Sequence, residues 1–183
     1  MKWLIASDIH GSAYYCRRLF QRFESEGAER ILLLGDLLYH GPRNDLPRDY
    51  DTRETAKILN SYADVIAAVR GNCDTEVDQM VLDFPVLADY ALLDLGASLV
   101  FATHGHTHSP QNLPRLAKGG VLLSGHTHVP MCKTVNNVLC LNPGSVSIPK
   151  EASPHSYMTF ENGVFTWKDI EGAEYMRYPD TQA

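Results

Sequence analysis

The sequence predicts an α/β fold, with two mixed β-sheets packed face to face and helices outside. Three observations carry that expectation. In the first half, the short apolar runs KWLIAS, ILLL and VIAAV alternate with stretches whose apolar residues recur at helical spacing. Those runs are nearly continuous in apolar character, as parallel strands covered on both faces are. In the second half almost every apolar run is short and bounded by turn residues, so the strands outnumber what one sheet would hold.

Taken in order, residues 2–7 read as a buried strand, and a helix follows over 12–26. Its Leu19, Phe20 and Phe23 recur at helical spacing, and Ser12 can cap its first turn. The second strand covers 31–34, and the second helix covers 52–62, capped by Asp51 or Thr52. The third strand covers 64–69. Beyond Phe84, VLADYALLDL and ASLVFATH flank Gly96 as a hairpin, then VLLS, MCKTV and VLCLN follow with Asn136-Asn137 as a turn. SYMTFE and VFTWKDI flank Asn162-Gly163, a pair that readily supplies the positive φ angles of a tight hairpin. No change of composition, internal repeat or low-complexity tract divides the chain, so residues 1–183 read as one domain.

Composition narrows the function. Lys plus Arg total 16 against 22 Asp plus Glu, a net charge of −6. That balance predicts no stable nucleic-acid binding, which relies on basic residues neutralising phosphates. A small phosphate-bearing molecule is still admissible, because a bound metal can invert the local field of an acidic protein. Cys16, Cys73, Cys132 and Cys140 show no CxxC spacing and read as reduced thiols. The apolar stretch 3–6 is too short for a signal segment, and no run reaches membrane-spanning length. A cytoplasmic protein without membrane contact is expected, and a homo-oligomer remains open.

The chemistry lies at the ends of the apolar runs. KWLIAS leads to Asp8 and His10, ILLL to Gly35-Asp36, VIAAV to Gly71-Asn72, LVFA to His104-Gly105-His106, and VLLS to Gly125-His126-Thr127-His128. In open α/β sheets ligands bind beyond the carboxyl ends of the strands. Asp8 and His10 stand two apart, so on extended backbone both leave from one side and can chelate one ion. His126 and His128 repeat the spacing, which lets each serve a different ion of a close pair. Asp36 suits a bridge because its two oxygens can each take one metal, while Asn72 adds a neutral oxygen and His104 a nitrogen. A mixed N and O set without thiolate favours Mn, Fe, Co or Zn over Ca or Mg. The pattern reads as a two-metal hydrolytic centre.

In that order, Asp8-x-His10, Gly35-Asp36, Gly71-Asn72-x-Asp74, His104-Gly105 and Gly125-His126-x-His128 resemble the motif set of the calcineurin-like metallophosphoesterases. The Gly-Asn-Cys-Asp form and Asn142-Pro143-Gly144-Ser145 look most like the small YfcE-type bacterial phosphodiesterases. The resemblance implies a four-layer αββα sandwich and two divalent ions, Mn2+ first, with Zn2+, Fe2+, Co2+ and Ni2+ compatible. It implies one ion on Asp8, His10, Asp36 and His128, and the other on Asp36, Asn72, His104 and His126. The expected reaction is hydrolysis of small phosphodiesters by a hydroxide bridging the metals, with a phosphomonoesterase or nuclease as the alternative reading. A non-catalytic scaffold, known from a retromer-subunit branch, is disfavoured because all seven ligands are present.

The chain departs from the wider family at Cys73, where a phosphate-contacting histidine is usual. Cys73 is thus a candidate catalytic thiol or a packing residue, and His106 the nearest candidate acid. Asp74 is expected either to support position 73 or to cap the segment starting at Thr75. The polar loop 39–51 offers His40 and Arg43 as candidate substrate contacts.

Overall fold

In the computed structural model, which describes residues 1–96 and 99–179, two sheets form the centre of the molecule. The first half of the chain supplies β1 (Trp3–Ala6), α1 (Ala13–Ser25), β2 (Arg30–Leu33), α2 (Thr52–Asn60), β3 (Ile66–Ala68) and the short α3 (Glu76–Gln79). The second half supplies β4 (Tyr90–Asp94), β5 (Leu99–Thr103), β6 (Val121–Leu123), β7 (Met131–Val135) and β8 (Val138–Asn142). It ends with β9 (Ser156–Glu161), β10 (Val164–Asp169) and β11 (Glu174–Tyr178). One sheet runs β11-β10-β9-β1-β2-β3, with β1, β2 and β3 parallel and β9 antiparallel to β1. The other runs β4-β5-β6-β8-β7, with β5, β6 and β8 parallel between antiparallel edges.

Alternation along each strand decides which layer a side chain joins. Leu4, Ala6, Ile31 and Leu33 pack with Leu19, Phe20 and Phe23 of α1 and Leu59 of α2. Ile5 and Leu32 point the other way and meet Val100, Val121 and Leu141 of the second sheet, with Trp167 buried between the sheets. On the far side of the second sheet, Phe101, Leu122 and Cys140 are covered by Leu113 and Leu116. Those two belong to residues 104–120, which form no helix. Pro110 and Pro114 explain why, since each removes an N–H and clashes with a preceding turn. Among the described residues the helices therefore flank one sheet, and an irregular segment supplies the fourth layer.

Local signals read from the sequence fix most boundaries. The Ser12 hydroxyl accepts from the Tyr15 N–H (3.3 Å) at the start of α1 and donates to the Arg48 carbonyl (2.6 Å), tying down the loop 39–51. Asp51, not Thr52, caps α2 by accepting from the Glu54 N–H (3.0 Å). Asn136 and Asn137 (φ 50° and 61°) and Asn162 and Gly163 (φ 51° and 83°) make the expected hairpin turns. The third strand is shorter than expected, because Ala63–Val65 winds into a 3-10 turn. Helix α3 and strand β11 carry no periodicity that the sequence reveals; β11 is mostly exposed as a sheet edge. Ala97 and Ser98, placed by the sequence in one hairpin arm, lie outside the described residues. No helix among the described residues is long and apolar enough to cross a membrane, and all four cysteines are free.

Candidate metal centre

Each strand that reaches this edge hands the chain to a tight turn. β1 leads to Asp8 and His10, β2 to Asp36, β3 to Asn72, β5 to His104, and β6 to His126 and His128. The spacing predicts extended backbone there, but the structure corrects it. Asp8 (φ 59°), His10 (48°), Asp36 (55°), His126 (67°) and His128 (62°) all lie in the left-handed region. Such a conformation costs a non-glycine residue roughly 1–2 kcal/mol. The turns are stitched together: Asp8 N–H donates to the Gly35 carbonyl (3.1 Å), His10 N–H to Asp36 (2.9 Å) and Gly125 N–H to His104 (2.7 Å). Where they touch only glycine fits. A Cβ on Gly71 would stand 2.1 Å from Asp36 Oδ1, and one on Gly125 would stand 1.9 Å from Ser7 Oγ.

Residues behind the turns hold them in place. Asp74 does not cap α3; Thr75 does, in a reciprocal pair with Asp78. The buried Asp74 carboxylate instead accepts from the N–H groups of Asp36 (2.8 Å), Leu37 (2.9 Å) and Gly71 (2.7 Å), joining the turns after β2 and β3. Asn142 Nδ2 donates to the Gly125 carbonyl (2.7 Å), and the Ser145 and Ser147 hydroxyls donate to the Asp8 carbonyl (2.8 and 3.0 Å). The Asn142-to-Ser145 segment thus supports the site from behind.

The side chains converge on two adjoining clusters. In one, Asp8 Oδ1 lies 3.5 Å from His10 Nε2 and 3.3 Å from His128 Nε2. In the other, His104 Nε2 lies 3.1 Å from Asn72 Oδ1 and 3.2 Å from His126 Nδ1. Asp36 belongs to both, with Oδ2 at 3.7 Å from His10 Nε2 and 3.4 Å from His104 Nε2. Its Oδ1 accepts from the Cys73 N–H (2.8 Å), so one carboxylate oxygen faces both clusters, not one oxygen each.

Hydrogen bonding fixes how the rings present themselves. Nδ1 of His10, His104 and His128 each lies 2.7 Å from a backbone carbonyl, of Tyr39, Leu34 and Ile148 respectively. A carbonyl only accepts, so Nδ1 carries the hydrogen and Nε2 presents a lone pair in the neutral ring. In the neutral rings the Nε2 lone pairs of His10 and His128 would face each other at 3.4 Å, beside the buried Asp8 Oδ1, which has no hydrogen-bond partner. The pocket calls for a cation. Burial lowers the His104 imidazole, yet its bond to Asp36 and the charges of Asp8 and Asp36 push it up to about 9. Burial raises Asp8, but His10 and His128 hold it well below the usual carboxylate range; burial raises Asp36 too, and its bond to His104 lowers it. A donor set of nitrogen and oxygen suits first-row divalent ions.

In front of the clusters lies a cleft of about 400 Å³, whose wall includes Asp36, Asn72, Cys73, Arg43, Thr127 and Lys150. Arg43 is where the sequence expects a substrate contact. His40 is not among the residues lining this cleft; its ring packs edge-on against Tyr39 and Tyr50. The chain turns away there because Gly41 (φ 80°) and the Asn44 bond to the His40 carbonyl (2.8 Å) redirect it. Cys73 accepts from Asn72 Nδ2 (3.2 Å), and burial, reinforced by Asp36, pushes its thiol up to about 12, so it is neutral. His106 is exposed, its ring 5.5 Å from that of His104; burial and then His104 lower its pKa. His155 has a structural role, stacked on Tyr15 at 4.0 Å. Lys150 and the clamp made by Asp74 escaped sequence reasoning. Lys150 carries no motif, and Asp74 sits inside one whose spacing says nothing of what it binds.

The chain is also similar to proteins of known family. The profile of the calcineurin-like phosphoesterase superfamily domain matches residues 1–163. The phosphodiesterase YfcE of Escherichia coli K12 is 46% identical over 166 residues, covering 91% of this chain and 90% of that protein. The probable metallophosphoesterase YsnB of Bacillus subtilis 168 is 30% identical over 175 residues, covering 91% and 88%. The solved structure of E. coli YfcE, described as a phosphoesterase, superposes with a TM-score of 0.93 at 43% identity, covering 97% and 98%.

Proposed function

Because the chain belongs to the calcineurin-like phosphoesterase superfamily, we propose that it is a dinuclear metal-dependent phosphodiesterase acting on small phosphodiesters. The observation that carries this reading is the pair of facing imidazole nitrogens, His10 Nε2 and His128 Nε2, 3.4 Å apart beside the buried Asp8 Oδ1, which has no hydrogen-bond partner. One ion is assigned to Asp8, His10, Asp36 and His128, the other to Asp36, Asn72, His104 and His126. Mn2+ is the ion proposed first, and Zn2+, Fe2+, Co2+ and Ni2+ suit the same donors. When bound, two such ions supply Lewis acidity that brings the pKa of water toward about 7 and neutralises phosphoryl oxygens.

The protein's own groups do the arranging. Asp36 Oδ2 faces both clusters, so its placement governs their relation. The carbonyls of Tyr39, Leu34 and Ile148 hold three rings in the tautomer that leaves Nε2 free. Asn72 contributes oxygen without charge, which leaves Asp8 and Asp36 as the only anionic donors and keeps the loaded site positive. An anionic ester is drawn to such a site despite the acidic surface. With a neutral thiol at position 73, no imidazolium stands there to protonate a leaving group. His106, its ring 5.5 Å from that of His104 but not lining the cleft, is the imidazole outside the assigned ligands proposed for that role. Esters whose leaving group departs unaided are therefore favoured.

The same reading covers residues 1–183 as one domain and a cytoplasmic location, the latter supported by four free cysteines. A phosphomonoesterase or nuclease would use the same donors, but a small cleft on an acidic chain favours short diesters. The testing experiment is an activity screen of metal-reconstituted protein against diester and monoester panels, with a chelator control. Turnover of bis(p-nitrophenyl) phosphate that needs added metal supports the reading; turnover confined to monoesters overturns it.

A further inference from the structure

The cleft carries two cations that the metal clusters do not use. Arg43 and Lys150 both line it, and among the described residues its only carboxylate is Asp36, which belongs to the clusters. Neither Arg43 nor Lys150 has an ion-pair partner among the described residues, and the two share one cleft. On a chain of net charge −6, two unneutralised cations sharing one small cleft form a local field opposite to that of the whole.

The backbone at Lys150 is built, not loose. Its N–H donates to the His128 carbonyl (3.2 Å), and its carbonyl accepts from the Ser153 N–H (3.0 Å) and hydroxyl (2.6 Å). The next two residues, Glu151 and Ala152, both take left-handed backbone (φ 54° and 56°). Two consecutive non-glycine residues so placed are strained, and strain of this kind persists where surrounding structure enforces it. It fixes the root of the lysine directly beside His128. On the Arg43 side, the Asn44 bonds to Gly41 (3.3 Å) and His40 (2.8 Å) close the turn that presents the guanidinium.

We propose that Arg43 and Lys150 form a second anion subsite, and that the preferred substrate is a small phosphodiester bearing an additional anionic group, carboxylate or phosphate, away from the scissile ester. The proposal rests on the phosphodiesterase reading and adds to it the substrate class. A simple diester brings one negative charge, which the loaded clusters already attract, so the two exposed cations are free to receive a second anion on the substrate. The residues lining this cleft include no Phe, Tyr or Trp, which argues against recognition by base stacking.

The test uses Mn2+-loaded protein and a matched pair of diesters, phenyl p-nitrophenyl phosphate and 4-carboxyphenyl p-nitrophenyl phosphate, which share one leaving group. A readout independent of turnover is the calorimetric Kd of phenyl phosphate against 4-carboxyphenyl phosphate. An exposed ion pair is worth about 1.4- to 5-fold in affinity. Two of them predict roughly a twofold to 25-fold preference for the carboxylated member, in kcat/KM and in Kd. That preference should shrink between about 50 and 500 mM NaCl as screening shortens. Lys150→Met and Arg43→Met should each reduce it, and Lys150→Glu should bring it to one or below. Equal affinities in wild type, or a preference untouched by all three substitutions, overturns the subsite while the phosphodiesterase reading stands. No turnover of either diester overturns that reading, and the proposal with it.

Discussion

Gly71→Ala isolates the geometric core of the argument. The added Cβ would stand 2.1 Å from Asp36 Oδ1 and 2.3 Å from the Asp36 nitrogen, where ordinary contact begins near 3.4 Å. Backbone and carboxylate must therefore separate by about 1.1–1.3 Å in the turn that joins both clusters. Metal sites tolerate ligand displacements of only about 0.2 Å. A misplacement of about 1 Å can cost about 100-fold in rate. Overpacking itself costs about 1–3 kcal/mol, which for a chain of this length lowers Tm by roughly 2–12 °C. The expected outcome is a folded protein with reduced metal content and kcat/KM down by about two orders of magnitude. Metal content by elemental analysis, far-UV circular dichroism and phosphodiesterase assays at saturating Mn2+ read it out. Gly120→Ala is the control, since its Cβ meets nothing closer than 3.1 Å and lies outside the clusters. Wild-type metal content and turnover in Gly71→Ala would refute the claim that the contact between these turns sets the position of Asp36.

Further outcomes follow from particular contacts. Asp36→Ala removes the group shared by both clusters and should release more metal than His10→Ala, as elemental analysis after dialysis will show; equal loss would sink the shared role. Burial alone raises Glu26, but Lys168, Lys2 and Tyr157 outweigh it and bring it down to about 2. Its contribution is present above the ordinary glutamate value and lost as pH falls toward that figure, so Glu26→Gln should flatten urea stability between about pH 4.5 and 2, by on the order of 2 kcal/mol. An unchanged slope would count against the triad. Cys73→His supplies a protonatable group where the thiol is neutral. General acid catalysis is worth about 100- to 10,000-fold, so the variant should gain most on poor leaving groups and monoesters; parallel plots of kcat/KM against leaving-group pKa would return Cys73 to packing.

The fold was legible where periodicity and turn chemistry spoke together. Leu19, Phe20 and Phe23 marked α1, and Asn162-Gly163 marked its hairpin, because both signals are local. The outer cover of the second sheet was not legible. Leu113 and Leu116 pack, partly buried, from an irregular segment, and only tertiary contact with Phe101 and Leu122 reveals it. At the site the residue types and their order were readable, but the reason they converge was not. Extended spacing was the expected device, whereas the left-handed backbone at Asp8, His10, Asp36, His126 and His128 turns the chain at these positions. Asp74 and Lys150 were illegible for a further reason, because their roles depend on backbone N–H and carbonyl groups that no sequence pattern encodes.

That backbone arrangement bears on how the site works. Five left-handed residues, each costing about 1–2 kcal/mol, store energy comparable to the about 5–15 kcal/mol that separates a typical folded domain from its unfolded state. Such strain persists only if neighbouring contacts offset it. The compensating bonds are visible: three N–H donors on Asp74, two hydroxyls on the Asp8 carbonyl, and Asn142 on Gly125. None of these uses a lone pair that faces the clusters. The cost of bringing buried carboxylates and imidazoles together is therefore met by the scaffold before any ion arrives. What remains unsatisfied is charge, seen in the raised His104 and in the unpaired Asp8 Oδ1. A divalent ion held by these residues would gain ligands already placed by the turns, so its binding energy would go to the ion and its ester rather than to folding the site.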